Sequence, residues 1–162
     1  MPTRTDRLTT PFGAGTTATE VVEEGLDPSG TFADLAAADT AYYRTNSTTP
    51  LIVPLLGTPT SSWYGRMTGV PRALTSLKVT YAGFNSRSCT QELQVYRWTT
   101  SSWVQIDSRA VSTTQVTIGD LSPTGAAANY VSTAGEVRVR VRCTANLSFN
   151  TAGNLMRITY TT

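Results

Sequence analysis

GEVRVRVRCT, residues 135–144, is the stretch whose reading decides the fold. Val137, Val139, Val141 and Cys143 alternate with Glu136, Arg138, Arg140 and Arg142. A period of two puts the apolar set on one face of a pleated strand and the charges on the other, so this segment is a half-buried strand.

The same alternation returns on both sides of it. In LTSLKVTYAG, Leu77, Val79 and Tyr81 share a face opposite Lys78 and Thr80. CTQELQVYRW places Cys89, Leu93 and Val95 inward, with Glu92, Gln94, Tyr96 and Trp98 outward. WVQIDSRA turns Val104 and Ile106 in and Trp103, Gln105, Asp107 and Arg109 out, and NLMRITYTT turns Met156, Ile158 and Tyr160 in. LIVPLLG is a further strand candidate, placed at a sheet edge because Pro54 has no N–H for a ladder. Gly, Pro, Asn and Ser turns separate these runs. The helical signal is GTFADLAAADTAYY, with Thr31 as N-cap, Asp34 in the first turn and Leu35 and the alanines as its body. The pattern predicts an all-β chain: an antiparallel β-sandwich of jelly-roll type with one short helical turn. Residues 1–30 are Thr-rich and broken by Pro2, Pro11, Gly13, Gly15 and Gly25, so they read as an extended N-terminal arm; residues 31–162 are the sandwich domain. Within the arm only TATEVVEEG, residues 17–25, is strand-like, with Val21 and Val22 as its apolar part.

Length and composition agree with one domain. A chain of 162 residues with 40% hydrophobic content buries a single core, and its many threonines and valines suit pleated sheet. Charged residues are 15% and the net charge is +2, well below what tracking a phosphate backbone requires, so nucleic acid is not an expected partner. No window approaches a membrane-spanning length, and the N-terminus has no apolar run of the secretory type.

The stretch RWTTSSWVQ, residues 97–105, raises the main functional question. A hairpin with Thr99–Ser102 as its loop sets Trp98 opposite Trp103, Tyr96 opposite Gln105, Gln94 opposite Asp107 and Glu92 opposite Arg109. Both indoles then sit on the outer face near the loop. There they either cover each other, protecting the hairpin end, or form a platform for a sugar ring or a neighbouring subunit. Trp63 and Tyr64 carry the same choice, with core or rim packing preferred. Arg138, Arg140 and Arg142 form an outward stripe, extended by Arg157 or Lys78 if their strands adjoin; it pairs with carboxylates on adjacent strands or meets an acidic partner.

Catalytic chemistry is sparse. The chain has no histidine, and two cysteines do not make a zinc site. No phosphate-cradling glycine loop, nucleophile elbow or metalloprotease motif is present. Asp27, Asp34 and Asp39 read as turn-capping carboxylates, with a calcium ion near the arm as the alternative. No cofactor and no metal ligand are assigned. Cys89 and Cys143 both face inward; they are joined by a disulfide if their strands adjoin in an oxidising setting, and two buried thiols otherwise.

Together AAADTAYY, NSRSCTQ, WTTSSWVQ and VRVRVRC resemble a β-sandwich accessory module found appended to bacterial extracellular hydrolases and in some phage virion proteins. The resemblance covers most of the chain after about residue 30. It implies a module that binds or spaces, with no catalytic residue to carry over. The absence of an enzyme domain and of an export signal shifts the expectation toward a stand-alone assembly protein.

Two function classes follow. The first is a non-catalytic virion structural protein, a phage capsid decoration (cement) protein at the virion surface. Its arm, anchored by Phe12, Val21 and Val22, would add a strand to a neighbouring subunit in a homo-oligomer or other symmetric assembly. The alternative is an extracellular carbohydrate-binding or adhesion module with Tyr96, Trp98 and Trp103 as a stacking platform. A strand-donating filament subunit shares the arm argument. An enzyme ranks last, and a membrane partner is not expected.

Overall fold

In the computed structural model, which describes residues 18–48 and 57–162, the described residues form ten strands in two antiparallel five-stranded sheets. The front sheet has the order β1 (Ala18–Glu24), β4 (Thr60–Met67), β9 (Val137–Thr144), β6 (Cys89–Arg97), β7 (Ser102–Val111). The back sheet has the order β2 (Leu26–Ser29), β3 (Tyr43–Asn46), β10 (Asn150–Thr161), β5 (Ser76–Asn85), β8 (Val116–Leu121). This is the expected all-β sandwich. The chain crosses between sheets at most of its connections, which is how a jelly roll pairs strands distant in sequence.

The VRVRVRCT segment becomes the middle strand of the front sheet. Val137, Val139, Val141 and Cys143 are fully buried, while the intervening arginines are half-buried on the outer face. Burying four such side chains contributes on the order of 1.5–3 kcal/mol for each aliphatic one, enough to fix the register, since a slip of one residue would bury the arginines instead. In the back sheet Met156 and Ile158 of β10 and Leu77, Val79 and Tyr81 of β5 meet them across the interface. Trp63 of β4 lies at the centre, with its ring 4.8 Å from that of Tyr43 and 6.2 Å from that of Tyr81.

The expected helical turn is a 3-10 turn at Phe32–Leu35, and Asp34 Oδ2 accepts the Thr31 N–H at 2.7 Å. It drops Phe32 and Leu35 into the core. Gly65 of β4 makes room for this: a Cβ there would run into the Phe32 ring and come within 3.0 Å of Met156 Sδ. Opposite Gly65 on β1 stands Glu20, whose Oε2 accepts the Phe32 N–H at 3.2 Å, so the turn and the edge strand hold each other in place.

Four expectations are corrected. Residues 18–29, expected in the arm, supply an edge strand to each sheet, with Val21 opposite Tyr64 and Val22 opposite Trp63. A strand that completes its own sheet with these bonds does not offer them to a neighbour. Strands β3 and β8 and a second 3-10 turn, Ala127–Tyr130, have too little alternation to stand out in sequence. Third, the hairpin pairs Tyr96 with Trp103, Gln94 with Gln105, Leu93 with Asp107 and Gln91 with Arg109, with a bulge between Leu93 and Gln94. The loop is Trp98–Ser101, because the Trp98 N–H donates to Asn129 O of the second 3-10 turn at 2.9 Å and leaves the ladder early. Ser101 takes the left-handed turn at φ 49°. The bulge reverses the alternation along β7, so Asp107 and Arg109 lie on the side of Leu93 and Gln91, bonded to each other at 2.6 and 2.7 Å. Fourth, Lys78 and Arg157 belong to the back sheet and cannot extend the arginine stripe. Phe12 and residues 51–56 of the LIVPLLG segment, Pro54 among them, lie outside the described residues.

Candidate functional site

Strands β9 and β6, in the middle and next position of the front sheet, project alternate side chains from its outer face, and β4, β1 and β7 flank them. Arg138, Arg140 and Arg142 of β9 stand beside Tyr64 and Arg66 of β4 and beside Glu92, Gln94 and Tyr96 of β6. Tyr96 has Trp103 as its cross-strand neighbour on β7.

The aromatic end of the face is a continuous cluster. The Tyr96 ring lies 4.9 Å from Trp98 and 5.2 Å from Trp103, both edge-on, and Trp103 lies 5.4 Å from Tyr64. Tyr64 and Trp103 start on strands with two others between them, so their rings lean toward each other over the middle of the sheet. Two guanidinium groups fill the space beneath and between them. Arg138 Cζ is 4.6 Å from the Trp98 ring centre and 5.4 Å from those of Tyr64 and Tyr96, and Arg140 Cζ is 4.2 Å from that of Trp103. Such contacts contribute about 0.5–2 kcal/mol each, depending on desolvation. The two indoles therefore lie on the outer face, near the loop, half-buried against Tyr96 and the arginines rather than against each other.

A polar relay runs down the face from this cluster. Glu23 Oε2 of β1 accepts from Ser62 Oγ at 2.9 Å and from Arg140 Nη1 at 3.0 Å. Arg140 Nε donates to Gln94 Oε1 at 2.6 Å, Gln94 Nε2 donates to Glu92 Oε2 at 3.3 Å, and Arg142 Nη1 sits 3.6 Å from the same Glu92 oxygen. At the aromatic end Glu136 holds Arg66 through two hydrogen bonds, of 3.1 and 2.9 Å, and Arg138 through a third. The Arg66 hydrogen bonds, with Arg138 behind them, keep the Glu136 carboxyl below the usual carboxylate range against the opposing effect of burial. All three stripe arginines are thus ion-paired within the chain.

Past Glu92 and Arg142 the face ends in a recess of about 230 Å³ lined by Thr58, Ser88, Thr90, Thr144 and Asn146. Arg138 and Thr144 are six residues apart on one strand, so the track from the aromatic cluster to this recess is about 20 Å long.

Cys89 and Cys143 are both buried free thiols. Cys143 faces Gln91 across the β6–β9 ladder, so Cys89 lies diagonal to it, where Cα separations of about 7–8 Å exceed what a disulfide spans. Burial pushes the Cys89 thiol up to about 11 and raises Cys143 further. Asp34 and Asp39 cap backbone N–H groups at Thr31 and Ala41, and Asp27 accepts from Asn46 Nδ2; among the described residues no group of three or more potential metal ligands comes together. Glu23 is not legible as a member of this site from sequence; the sequence leaves Tyr64, with Trp63, to core or rim packing, and sets Gln94 on the outer face with Tyr96 without a role. The available signal was the Trp63–Tyr64 pair within a strand, one ring facing each way.

No protein-family model matches the chain, and no curated protein sequence does. Solved structures share its fold. The N-terminal cellulose-binding domain of the β-1,4-glucanase C of Cellulomonas fimi is 14% identical, with a TM-score of 0.52 over 93% of this chain and 91% of that one. A CBM4 structure is 12% identical, with a TM-score of 0.51 over 91% and 95%. The enzymatically active domain of tailspike protein 4 of bacteriophage CBA120 is 10% identical and aligns over 94% of this chain and 21% of its own, with a TM-score of 0.44. The chain is therefore similar in fold to the β-sandwich accessory modules of bacterial glycosidases.

Proposed function

We propose that this chain is a non-catalytic, extracellular carbohydrate-binding module whose ligand lies along the outer face of the front sheet. The observation that carries this is the joint presence on one face of Tyr64, Tyr96, Trp98 and Trp103 with the Glu23–Arg140–Gln94–Glu92 relay. A pyranose has an apolar C–H face and an equatorial rim of hydroxyls. Rings receive the first, and carboxylate, amide and guanidinium groups receive the second. The shared fold with a cellulose-binding domain and a CBM4 structure supports the same reading.

The mechanism is binding without turnover. Because the arginines are already paired and stacked, little side-chain freedom is lost on contact with a ligand, which favours affinity. The capsid-decoration reading draws on Val21 and Val22 as a donated strand, and that strand is engaged with β4 in its own sheet. It ranks second for that reason. Native electrophoresis through gels containing single polysaccharides, cellulose derivatives and xylans among them, tests the proposal. Retardation by at least one neutral glycan that disappears in Trp103→Ala supports it. A panel with no retardation, or retardation unchanged in Trp103→Ala, refutes it.

A further inference from the structure

Three guanidinium groups lie over aromatic rings among the described residues, and one of them differs from the others. Arg138 and Arg140 are ion-paired, with Glu136 and Glu23. Arg44, on the opposite sheet, lies 4.9 Å from the Tyr42 ring centre and 5.9 Å from that of Phe84, and has no ion pair among the described residues.

Its surroundings form a small composite surface. Tyr43 and Thr45 of β3 point into the core, so Arg44 between them points out. Arg44 pairs with Ala152 of β10, which pairs in turn with Phe84 of β5. Tyr42 meets Phe84 edge-to-face, with centroids 5.4 Å apart at 84°. Together these three side chains roof over Ala152, which is only 2% exposed. The next outward row holds Asn46 and Asn150, followed by Ser86, whose Oγ accepts the Asn150 N–H at 2.9 Å. Arg44, Ser86 and Asn150 are exposed.

We infer that this back-sheet surface is a second binding site, taking a carboxylated sugar residue of the uronate class. A guanidinium held against rings has lost water on one side while keeping its in-plane donors free. On the front sheet, glutamates of the chain occupy such donors; at Arg44 no carboxylate among the described residues does, which leaves the fork open to an external anion. The carboxylate takes the Arg44 fork, the C–H face of the pyranose lies against Phe84 and Tyr42, and Asn150 and Ser86 reach its hydroxyls. A protein partner fits less well. A stable protein interface needs about 800 Å² per side, and the apolar part of this patch is two rings and the isolated Leu26. The inference stands apart from the front-face proposal and survives its failure.

Affinity electrophoresis in polygalacturonate, with its methyl ester as the uncharged control, tests it on the full chain. The parent protein should be retarded by the acid form and pass freely through the ester, and retardation should vanish in about 0.5 M NaCl, where the screening length is about 4 Å. Arg44→Gln should weaken binding about tenfold or more, and Tyr42→Ala should weaken it too, with thermal melts showing both variants folded; Trp103→Ala should bind as the parent does. Absence of retardation by the acid form, equal retardation of Arg44→Gln, or loss confined to Trp103→Ala each overturns the site. A light-scattering mass that falls in Arg44→Gln without any glycan also overturns it, since the occupant would then be a second copy.

Discussion

Replacing Glu136 by glutamine probes the charge network that holds the aromatic face in shape. The residue is 8% exposed; its Oε1 accepts from Arg66 Nε at 3.1 Å and from Arg138 Nε, and its Oε2 from Arg66 Nη2 at 2.9 Å. Glutamine keeps the size and one acceptor, removes the charge, and turns an amide N–H toward a guanidinium. Hydrogen bonds to charged groups contribute about 1.5–3 kcal/mol each, and breaking a fully buried ion pair costs about 3–5 kcal/mol. The Arg66 side chain is 39% exposed and that of Arg138 25%, so water replaces part of what is lost, and Arg138 keeps its stack on Trp98. A loss of about 2 kcal/mol at pH 7 is the expected result. The pH dependence has a definite sign. The folded-state pKa of Glu136 lies below its ordinary value of 4.5, chiefly through the Arg66 hydrogen bonds, so the stability it confers is present above that value and disappears as pH falls through the folded one. Urea unfolding at pH 7 and again at about pH 3 should show a gap between parent and Glu136→Gln that narrows in acid. Equal stability at pH 7, or a gap that stays the same in acid, would refute the reasoning.

Three further outcomes are expected. Gly65→Ala should cost about 1–3 kcal/mol by overpacking against Phe32, with Phe32→Leu recovering part of it, as read by chemical denaturation; no change would mean that the 3-10 turn does not dock there. A thiol reagent should leave Cys143 untouched in the native protein, reach Cys89 slowly from the recess that it lines, and find both in denaturant; fast native reaction of both thiols or no reaction in denaturant would contradict the unbridged pair. Burial, with Glu20 nearby, raises Tyr43 from 10.0 to about 12, so the stability this residue contributes should be constant below about pH 10 and be lost as pH rises from 10 toward 12. Tyr43→Phe should reduce that alkaline slope, and an unaltered slope would show that Tyr43 ionises freely in the folded chain.

Much of the fold was legible because burial imposes a period of two. β6, β9 and the second half of β10 carry strict alternation and β5 a partial one, and the structure buries the residues that the pattern selects, such as Val137, Val139, Met156 and Ile158. β3 and β8 are short edge or near-edge strands whose threonine, asparagine and glycine residues carry little alternation. The hairpin register was not legible, since it depends on a contact remote in sequence: Asn129 O takes the Trp98 N–H, shortens the ladder and shifts every pair beyond it. Of the candidate site, the arginine stripe and the aromatic residues Tyr96, Trp98 and Trp103 were visible from local pattern. Gln94 shares their face through the same local alternation on β6, whereas Glu23 and Tyr64 join them through strand order, which places β4 beside β9 and β1 beside β4 although they are far away in the chain. Arg44 was invisible for the same reason, because its partner ring Phe84 stands two strands away.

The chain has three tryptophans, and their indole N–H signals in a nitrogen-15 correlation spectrum give the most direct test of the front-face proposal. Trp63 is fully buried in the core, whereas Trp98 and Trp103 are half-buried on the outer face. Titration with an oligosaccharide of a glycan retained in electrophoresis should shift the Trp103 and Trp98 signals together in a saturable way and leave Trp63 still. A saturating titration in which the Trp103 signal does not move would contradict the account.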